Sequence, residues 1–308
     1  MPGIETNRSA VALPSDISSE ILAKTTEQSA VMRLARRVSL PGRGLTIPVI
    51  TADAEAAWVA ETDPKPVSNP SLASKLMTPY TIAVIVPFSK QFTRDLRALY
   101  DELVRRLPSA LGRVFDQTII GAVNVPGSNF DSFANCTQQS LLTVSGVSTV
   151  YGSFVAAKED VAVHGGVLNG WALSPQAEGL LLRAVDNDGR PLFINSAADG
   201  AVPRIIGAPT HTTRGLYKAG TPAAEGVAGV PAIVGVGGDW SQALYGVVEG
   251  VEVTVSDQAT LTVGSGASAS NINLGQQNLV AVRAEIEVGF RADTSVFNLL
   301  TGAVPSAA

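Results

Sequence analysis

The sequence predicts an α+β fold from which two parts project, an N-terminal arm and an extended loop. Three observations support this fold class. A proline-rich stretch separates two segments that favour strands, an unusually long amphipathic segment favours a single helix, and short strand and helix patterns alternate after Gly127. Gly and Pro are plentiful, at 29 and 18 of the 308 residues, so many turns and extended segments are expected.

Residues 1–45 are predicted to form the N-terminal arm. Helical patterning begins after Pro14, continues through apolar residues that include Ile21 and Val31, and stops at Pro41 and Gly42. The apolar stripe along this stretch is narrow. We therefore expect two short helical stretches that dock on another surface instead of folding on themselves.

Residues 46–86 are predicted to form the extended loop. Thr46–Val59 and Met77–Phe88 favour strands, and three prolines lie in the tip between them. Because proline lacks a backbone donor and has a fixed φ, this tip cannot be a central strand or a helix. The two strand-like segments are most simply paired as a long protruding hairpin. With Trp58 near its stem, such a hairpin suggests a surface that binds a partner.

One helix is predicted from Ser89, as its N-cap, to Ala122. Its apolar residues recur at spacings of three and four: Phe92, Leu96, Leu99, Leu103, Leu107, Leu111, Val114, Thr118 and Ile119. A run of about 33 residues would be about 50 Å long, and Pro108 should bend it. The opposite face is charged and includes Lys90, Arg94 and Arg97. Simple solvation explains that face, and binding of a neighbour's acidic hairpin is the alternative.

The rest of the chain is predicted to form an α+β unit. Gly170–Ser174 is predicted as a strand that ends at a helix cap, and Pro175–Val185 as the helix that follows. Val280–Phe290 alternates apolar and polar residues, which is typical of a half-exposed strand.

Charge and cysteine content exclude several classes of protein. The net charge is −5, so the chain lacks the basic surplus of a sequence-reading nucleic-acid binder. Its single cysteine, Cys136, excludes an internal disulfide and any multi-cysteine metal site, and a structural thiol is the expected role. The N-terminus has no apolar signal region, and no apolar run is long enough for a membrane span, which predicts synthesis in a cytoplasm and no membrane partner.

The polar residues do not form a recognisable catalytic constellation. His164 and His211 have no histidine partner at metal-ligand spacing, so a zinc site is not expected. Asp186 and Asp188 could suggest a carboxylate-dependent hydrolase, but Gly189 beside them favours a turn. We therefore expect no enzyme activity, no cofactor and no metal, with the hydrolase kept as the least favoured alternative.

The order of these segments resembles the major capsid protein of tailed bacteriophages, which has the HK97-type fold. The matching segments are Pro14–Ser29 for the arm, Thr46–Val86 for the extended loop, Ser89–Ala122 for the spine helix, Gly170–Pro175, Asp188–Phe193 and Gly238–Ala243 for the axial domain, and Val282–Phe297 for the closing strand and tail. The resemblance implies a peripheral domain of residues 87–140 and 255–292, with the spine helix at 89–122. It also implies an axial domain of residues 141–254 and 293–308.

The resemblance implies a structural protein that self-assembles, through pentamers and hexamers, into an icosahedral shell enclosing double-stranded phage DNA. We expect residues at the contacts between copies to be Trp58, Glu61, Asp63, Lys65, Lys75, Lys90, Arg94 and Arg97. Further expected partners are separate scaffolding, portal and decoration proteins, and packaged DNA contacted weakly and non-specifically. The expected location is the virion capsid, assembled in the cytoplasm of a bacterial host. An encapsulin, a bacterial compartment shell with the same fold, is the alternative.

Two departures from the family pattern limit what the resemblance implies. The chain begins at the arm, without the N-terminal scaffolding segment of some relatives, so a separate scaffolding protein or none is expected. Some relatives join neighbouring copies through a lysine–asparagine isopeptide bond. Lys65 and Lys75 lie in the extended loop, but no asparagine or catalytic glutamate could be matched, and that chemistry is not assigned.

Overall fold

A computed structural model describes residues 15–52, 58, 71–90, 96–142, 150–185, 188, 190, 192–193, 204–248, 250–263 and 270–305. Five α-helices lie in these residues: α1 (Ser15–Gln28), α2 (Ala30–Leu34), α3 (Leu96–Ile119), α4 (Val150–Val163) and α5 (Pro175–Leu182). Fifteen strands lie there as well: β1 (Arg36–Ser39), β2 (Leu45–Ala52), β3 (Ser71–Met77), β4 (Tyr80–Ser89), β5 (Thr137–Ser140), β6 (Gly170–Leu173), β7 (Arg204–Ile205), β8 (Ala208–Thr212), β9 (Ile233–Gly238), β10 (Ala243–Val247), β11 (Glu252–Ser256), β12 (Thr260–Val263), β13 (Ser270–Asn273), β14 (Leu279–Ala292) and β15 (Phe297–Thr301).

The longest strand, β14, organises the first sheet. It pairs antiparallel with β4 along one side, and with β11 and then β10 along the other, and β1 adds to β10 at the far edge. The sequence alternation of β14 appears in the structure as solvent exposure at Arg283 and Glu287, with most other positions buried. The strand is therefore more buried than the half-exposed strand that the pattern predicts, and its apolar residues from Val282 to Ala292 belong to the main core.

A second sheet has the strand order β5-β15-β9-β6-β8-β7. The predicted strand and helix at Gly170–Val185 are confirmed as β6 and α5. Ser174 is the N-cap between them, and its hydroxyl accepts a hydrogen bond from the Ala177 amide. Pro175 occupies the first helical position, where its missing N–H is not needed.

The apolar core is continuous between the two sheets and α3. Its centre is aromatic. Phe133 stacks on Phe297 with ring centroids 4.3 Å apart, and Phe290 meets Phe115 and Phe133 edge to face at 6.0 and 5.7 Å. Such pairs add about 0.5–1.5 kcal/mol each to the free energy of area burial. The core therefore fixes β14 against α3.

The arm is confirmed as two helical stretches, and the surface on which it docks is α3 of the same chain. Ile21 of α1 and Val31 of α2 are fully buried in the core. Helices α1 and α3 approach closely at Gly112 of α3, where a Cβ would lie 3.3 Å from the carbonyl oxygen of Thr25 in α1. The arm therefore has a fixed place on its own subunit.

The predicted pairing of the hairpin is wrong in its second strand. β2 pairs with β3, the segment Ser71–Met77, whereas β4 leaves the hairpin and pairs over ten positions with β14. The apolar residues of β4 pack against the main core, and that burial decides the pairing. The segment Ser71–Met77 was missed because its serines, alanine and lysine have low strand propensity.

The predicted start of the long helix is also wrong. Ser89 is the last residue of β4 and pairs with Leu279, so it cannot be the N-cap. The helix is described from Leu96 and has 24 residues, which corresponds to about 36 Å. Pro108 lies within it as predicted, and Gly121, with φ of 73°, follows its end. No helix in the described residues is both long and apolar enough to cross a membrane.

Candidate assembly surfaces

The β2–β3 hairpin is held at its base by a small apolar cluster of its own. Met77 at the end of β3 packs with Leu40 and Leu244, and all three side chains are buried. Gly44 begins the hairpin with φ of 87°, and a Cβ there would lie 2.7 Å from the Met77 carbonyl oxygen. The close approach of the two chain segments therefore requires glycine. The hairpin starts from a packed base rather than from a free linker.

Arg291 of β14 fixes the direction in which the hairpin leaves this base. Its guanidinium donates to the Leu76 carbonyl oxygen from Nε and Nη2, at 2.8 and 2.6 Å. It also donates to Asn129 Oδ1 and Asp131 Oδ1, each at 2.8 Å. The Arg291 side chain is only 10% exposed. A buried arginine with this many partners orients the groups around it, because losing any partner leaves a charge without compensation.

Lys75 adds a second connection between the hairpin and β14. Its Nζ donates to the Ala292 carbonyl oxygen at 3.1 Å and lies 3.8 Å from Asp131 Oδ2. The Ala292 amide in turn donates to the same Asp131 oxygen at 3.1 Å. Asp131 therefore joins both basic residues to the turn that follows α3.

The junction between the arm and α3 is built on a buried carboxylate. Asp116 of α3 accepts hydrogen bonds from the Ser29 hydroxyl at 2.6 Å, from the Ala30 amide at 3.2 Å and from the Val31 amide at 3.4 Å. These amides are the free donors at the start of α2, where a negative charge is favourable. Ser29 also caps α2 by accepting from the Met32 amide. Asp116 thus fixes the register of the arm on the spine helix.

Burial raises the pKa of the Asp116 carboxyl to about 7 from its ordinary value of 3.8, although the hydrogen bonds from Ser29, Ala30 and Val31 act in the opposite direction. The carboxyl has no exposed surface. Its protonation state therefore changes near neutral pH, and with it the strength of the arm junction.

The described residues include an acidic pocket and a buried cysteine. The pocket, of about 300 Å³, is lined by Glu252, Glu285 and Glu287 together with Thr81, Val248 and Gly250. Burial, and then the charges of Asp160 and Asp293, raise the pKa of Cys136 to about 12. No group of three potential metal ligands is found in the part of the chain that the structure describes.

Comparison with known proteins decides the family. The sequence model described as the Phage capsid family matches residues 9–293, which is most of the chain. The chain belongs to the phage capsid family. Among relatives of this capsid protein, the probable major capsid protein of Mycobacterium phage D29 is 30% identical over 297 residues, covering 92% of this chain and 88% of the relative. The major capsid protein of Staphylococcus phage 80alpha is 21% identical over 298 residues, covering 94% and 85%.

Solved structures show the same fold. A chain from Gordonia phage Cozz superposes with a TM-score of 0.68 at 20% identity, covering 90% of this chain and 87% of the other. A chain from Mycobacterium phage Adephagia gives 0.68 at 22% identity, covering 91% of each. These are HK97-type capsid structures, so the fold that the sequence predicts is confirmed.

Only some of the contact residues predicted for this capsid protein lie in the part of the chain that the structure describes. Trp58 has a fully exposed side chain. Lys75 and Lys90 both have partners within their own chain, Lys90 through an ion pair of 3.2 Å with Asp257. Residues 61, 63, 65 and 94 lie outside the described residues, as do the Arg97 side chain and Asp186. The structure brings none of the described candidates together within one subunit.

Sequence reasoning missed the residues that hold the projecting parts in place, Arg291, Asp131 and Asp116. A signal was present for one of them, because Asp116 lies beside Phe115 on the apolar side of α3. Arg291 gave none, since it is in phase with the exposed charges Arg283 and Glu287 of the same strand. A charged residue on a buried face needs a partner, and that partner indicates which segments meet.

Proposed function

We propose that many copies of this protein tile a closed icosahedral shell around double-stranded phage DNA, through pentamers and hexamers. Two observations carry the proposal: the β2–β3 hairpin has an anchored base, and Trp58, which follows β2 in the chain, has a fully exposed side chain. An exposed side chain of that size gains free energy when another surface covers it. Because the chain belongs to the phage capsid family, the covering surface in this proposal is another copy of the same chain.

In this proposal the hairpin of one copy lies over α3 of its neighbour, and the arm runs beneath. Glu61 and Asp63 would then face the neighbour's Lys90, Arg94 and Arg97. Lys90 would have to exchange its ion pair with Asp257 for the new contact. Both side chains of that pair are more than 40% exposed, so the exchange costs little, because such pairs contribute at most about 1 kcal/mol. Cohesion must come mainly from apolar burial, with Trp58 as its centre.

The predicted division into arm, extended loop, peripheral domain and axial domain assigns a place to each region. Axial domains would meet around the five-fold and six-fold axes, where head-to-tail contacts close into rings because the rotation is fixed. Separate scaffolding, portal and decoration proteins would act with the shell. Packaged DNA would be touched weakly and without sequence preference, as the net charge of −5 suggests. Assembly would take place in the cytoplasm of a bacterial host.

Electron microscopy of purified protein tests the proposal. Closed shells with nucleic-acid absorbance are expected from infected or lysogenic cells. Shells that contain a co-purifying enzyme instead would favour the encapsulin alternative. A monomer or small oligomer in size-exclusion chromatography, even at high protein concentration, would contradict the proposal and reopen the hydrolase alternative.

A further inference from the structure

Three exposed arginines lie on elements that come together where the arm docks on the spine helix. They are Arg33 of α2, Arg113 of α3 and Arg214 of the 3-10 turn Arg214–Leu216, and together they are called the arginine patch. The turn lies directly on α3, because a Cβ placed on Gly215 would be 3.3 Å from the Arg113 Cα. The same Cβ would be 2.7 Å from the Cβ of Asp116, which binds the start of α2.

The arginine patch is not neutralised by ion pairs within the described residues. None of its three guanidinium groups forms an ion pair there. Asp116 is nearby but fully buried, and its oxygens are occupied by Ser29, Ala30 and Val31. The pKa of His211 is lowered, first by burial and then by the charge of Arg33. The patch therefore creates a positive potential at this point of the surface.

This local charge contrasts with the chain as a whole. The protein carries a net charge of −5, yet three elements at the arm junction, distant in sequence, each carry an exposed arginine. Like charges at one site repel each other, and a negative partner would relieve that repulsion. Arginine in particular presents a planar fork of donors that matches phosphate oxygens.

We propose that the arginine patch binds the phosphate backbone of double-stranded DNA. The inference rests on the proposed function, and it gives the weak DNA contact of that function a position at the arm junction. Three phosphate contacts on each copy would allow the inner surface of the shell to hold DNA in place and later release it. Each contact is weak and sensitive to salt, and the DNA next to the shell is ordered by the many copies that contact it.

DNA binding by dispersed subunits tests this inference. Binding of a short fluorescently labelled duplex is measured by anisotropy between about 50 and 200 mM salt, where three phosphate contacts predict an affinity loss of about 40-fold. The triple variant Arg33→Gln, Arg113→Gln, Arg214→Gln should lose most of the binding and most of the salt dependence. The control is Lys158→Gln, Arg183→Gln, Arg204→Gln, which removes the same charge from other exposed positions and should bind like the wild type.

Two results would overturn the inference. In the first, the patch variant binds the duplex with the affinity and salt dependence of the wild type. In the second, the patch variant keeps DNA binding but loses shell assembly, which would assign the arginines to carboxylates of a neighbouring copy. Circular dichroism shows whether each variant is folded, and electron microscopy of the wild type scores the shell function separately. A shell-forming wild type without a DNA-binding patch would remove this inference alone.

Discussion

Arg291 Nη1 lies 2.8 Å from Asp131 Oδ1, and the same guanidinium donates to the Leu76 carbonyl at the end of β3. One side chain thus joins the central strand, the turn after the spine helix and the return strand of the hairpin. We expect Arg291→Gln to lower the free energy of unfolding by about 3–5 kcal/mol, because Asp131 would lose its buried partner. Urea denaturation of dispersed subunits at one fixed protein concentration measures this change.

The matched control is Arg283→Gln on the same strand. The Arg283 side chain is 47% exposed and pairs with Glu285 at 3.2 Å, so its loss should cost less than about 1 kcal/mol. Equal losses from the two substitutions would mean that Arg291 is not an anchor.

Asp116 should make the stability of the subunit depend on pH. Its pKa is raised by burial to about 7, from 3.8, so the folded state holds the proton more tightly than the unfolded state does. Below about pH 4 both states are protonated and the buried charge costs nothing. Between pH 4 and 7 the free energy of unfolding should fall, by at most about 1.4 kcal/mol per pH unit, and above pH 7 this contribution should stay constant.

The variant Asp116→Asn isolates this contribution, since its side chain does not titrate. The stability of the wild type relative to Asp116→Asn should be greatest at or below about pH 4 and should decrease as the pH rises to 7. Thermal unfolding of both proteins at several pH values provides the comparison. A difference that grows with pH would show that hydrogen bonding outweighs burial at this carboxyl, against our expectation.

The sequence was sufficient for the order of the major elements because their patterns are local. The apolar spacing along α3, the cap at Ser174 and the alternation in β14 each depend on residues close together in the chain. The resemblance to the capsid family rested on the order of these elements. The fold and the family predicted from it are both confirmed.

Long-range partners could not be read from the same patterns. β4 could have paired with either of two segments, and only its burial against the core selects β14, which lies about 200 positions away. Ser71–Met77 forms a strand despite weak propensity, because β2 and the Arg291 anchor hold it in place. The interactions of Asp116 with the arm likewise join residues 85 to 87 positions apart.

Cys136 should be unreactive in the folded protein. Its thiol donates to the Thr294 carbonyl at 3.2 Å, and burial raises its pKa to about 12 from 9.0. At pH 8 the thiolate fraction should be about a thousandfold lower than that of an ordinary cysteine. Reaction with a disulfide reagent measures this, with Val163→Cys as the control because Val163 is 77% exposed. Equal rates for the two thiols would contradict the prediction.

Trp58 should report assembly through its fluorescence. Of the three tryptophans, Trp171 and Trp240 are buried, at 0% and 2% exposure, whereas Trp58 is fully exposed. In dispersed subunits a neutral quencher should therefore reduce mainly the Trp58 emission. In assembled shells that emission should shift to shorter wavelength and become protected, because a neighbouring copy covers the ring.

Trp58→Ala should separate assembly from folding. The side chain makes no buried contact within its own subunit, so the free energy of unfolding should change by less than about 0.5 kcal/mol. The concentration needed for assembly should rise roughly tenfold or more, since burying such a ring stabilises a contact by at least about 1.5 kcal/mol. Tyr151→Ala, which removes another exposed aromatic ring, is the control. If Trp58→Ala assembled like the control, and the Trp58 emission stayed quenchable in shells, Trp58 would not be a contact between copies.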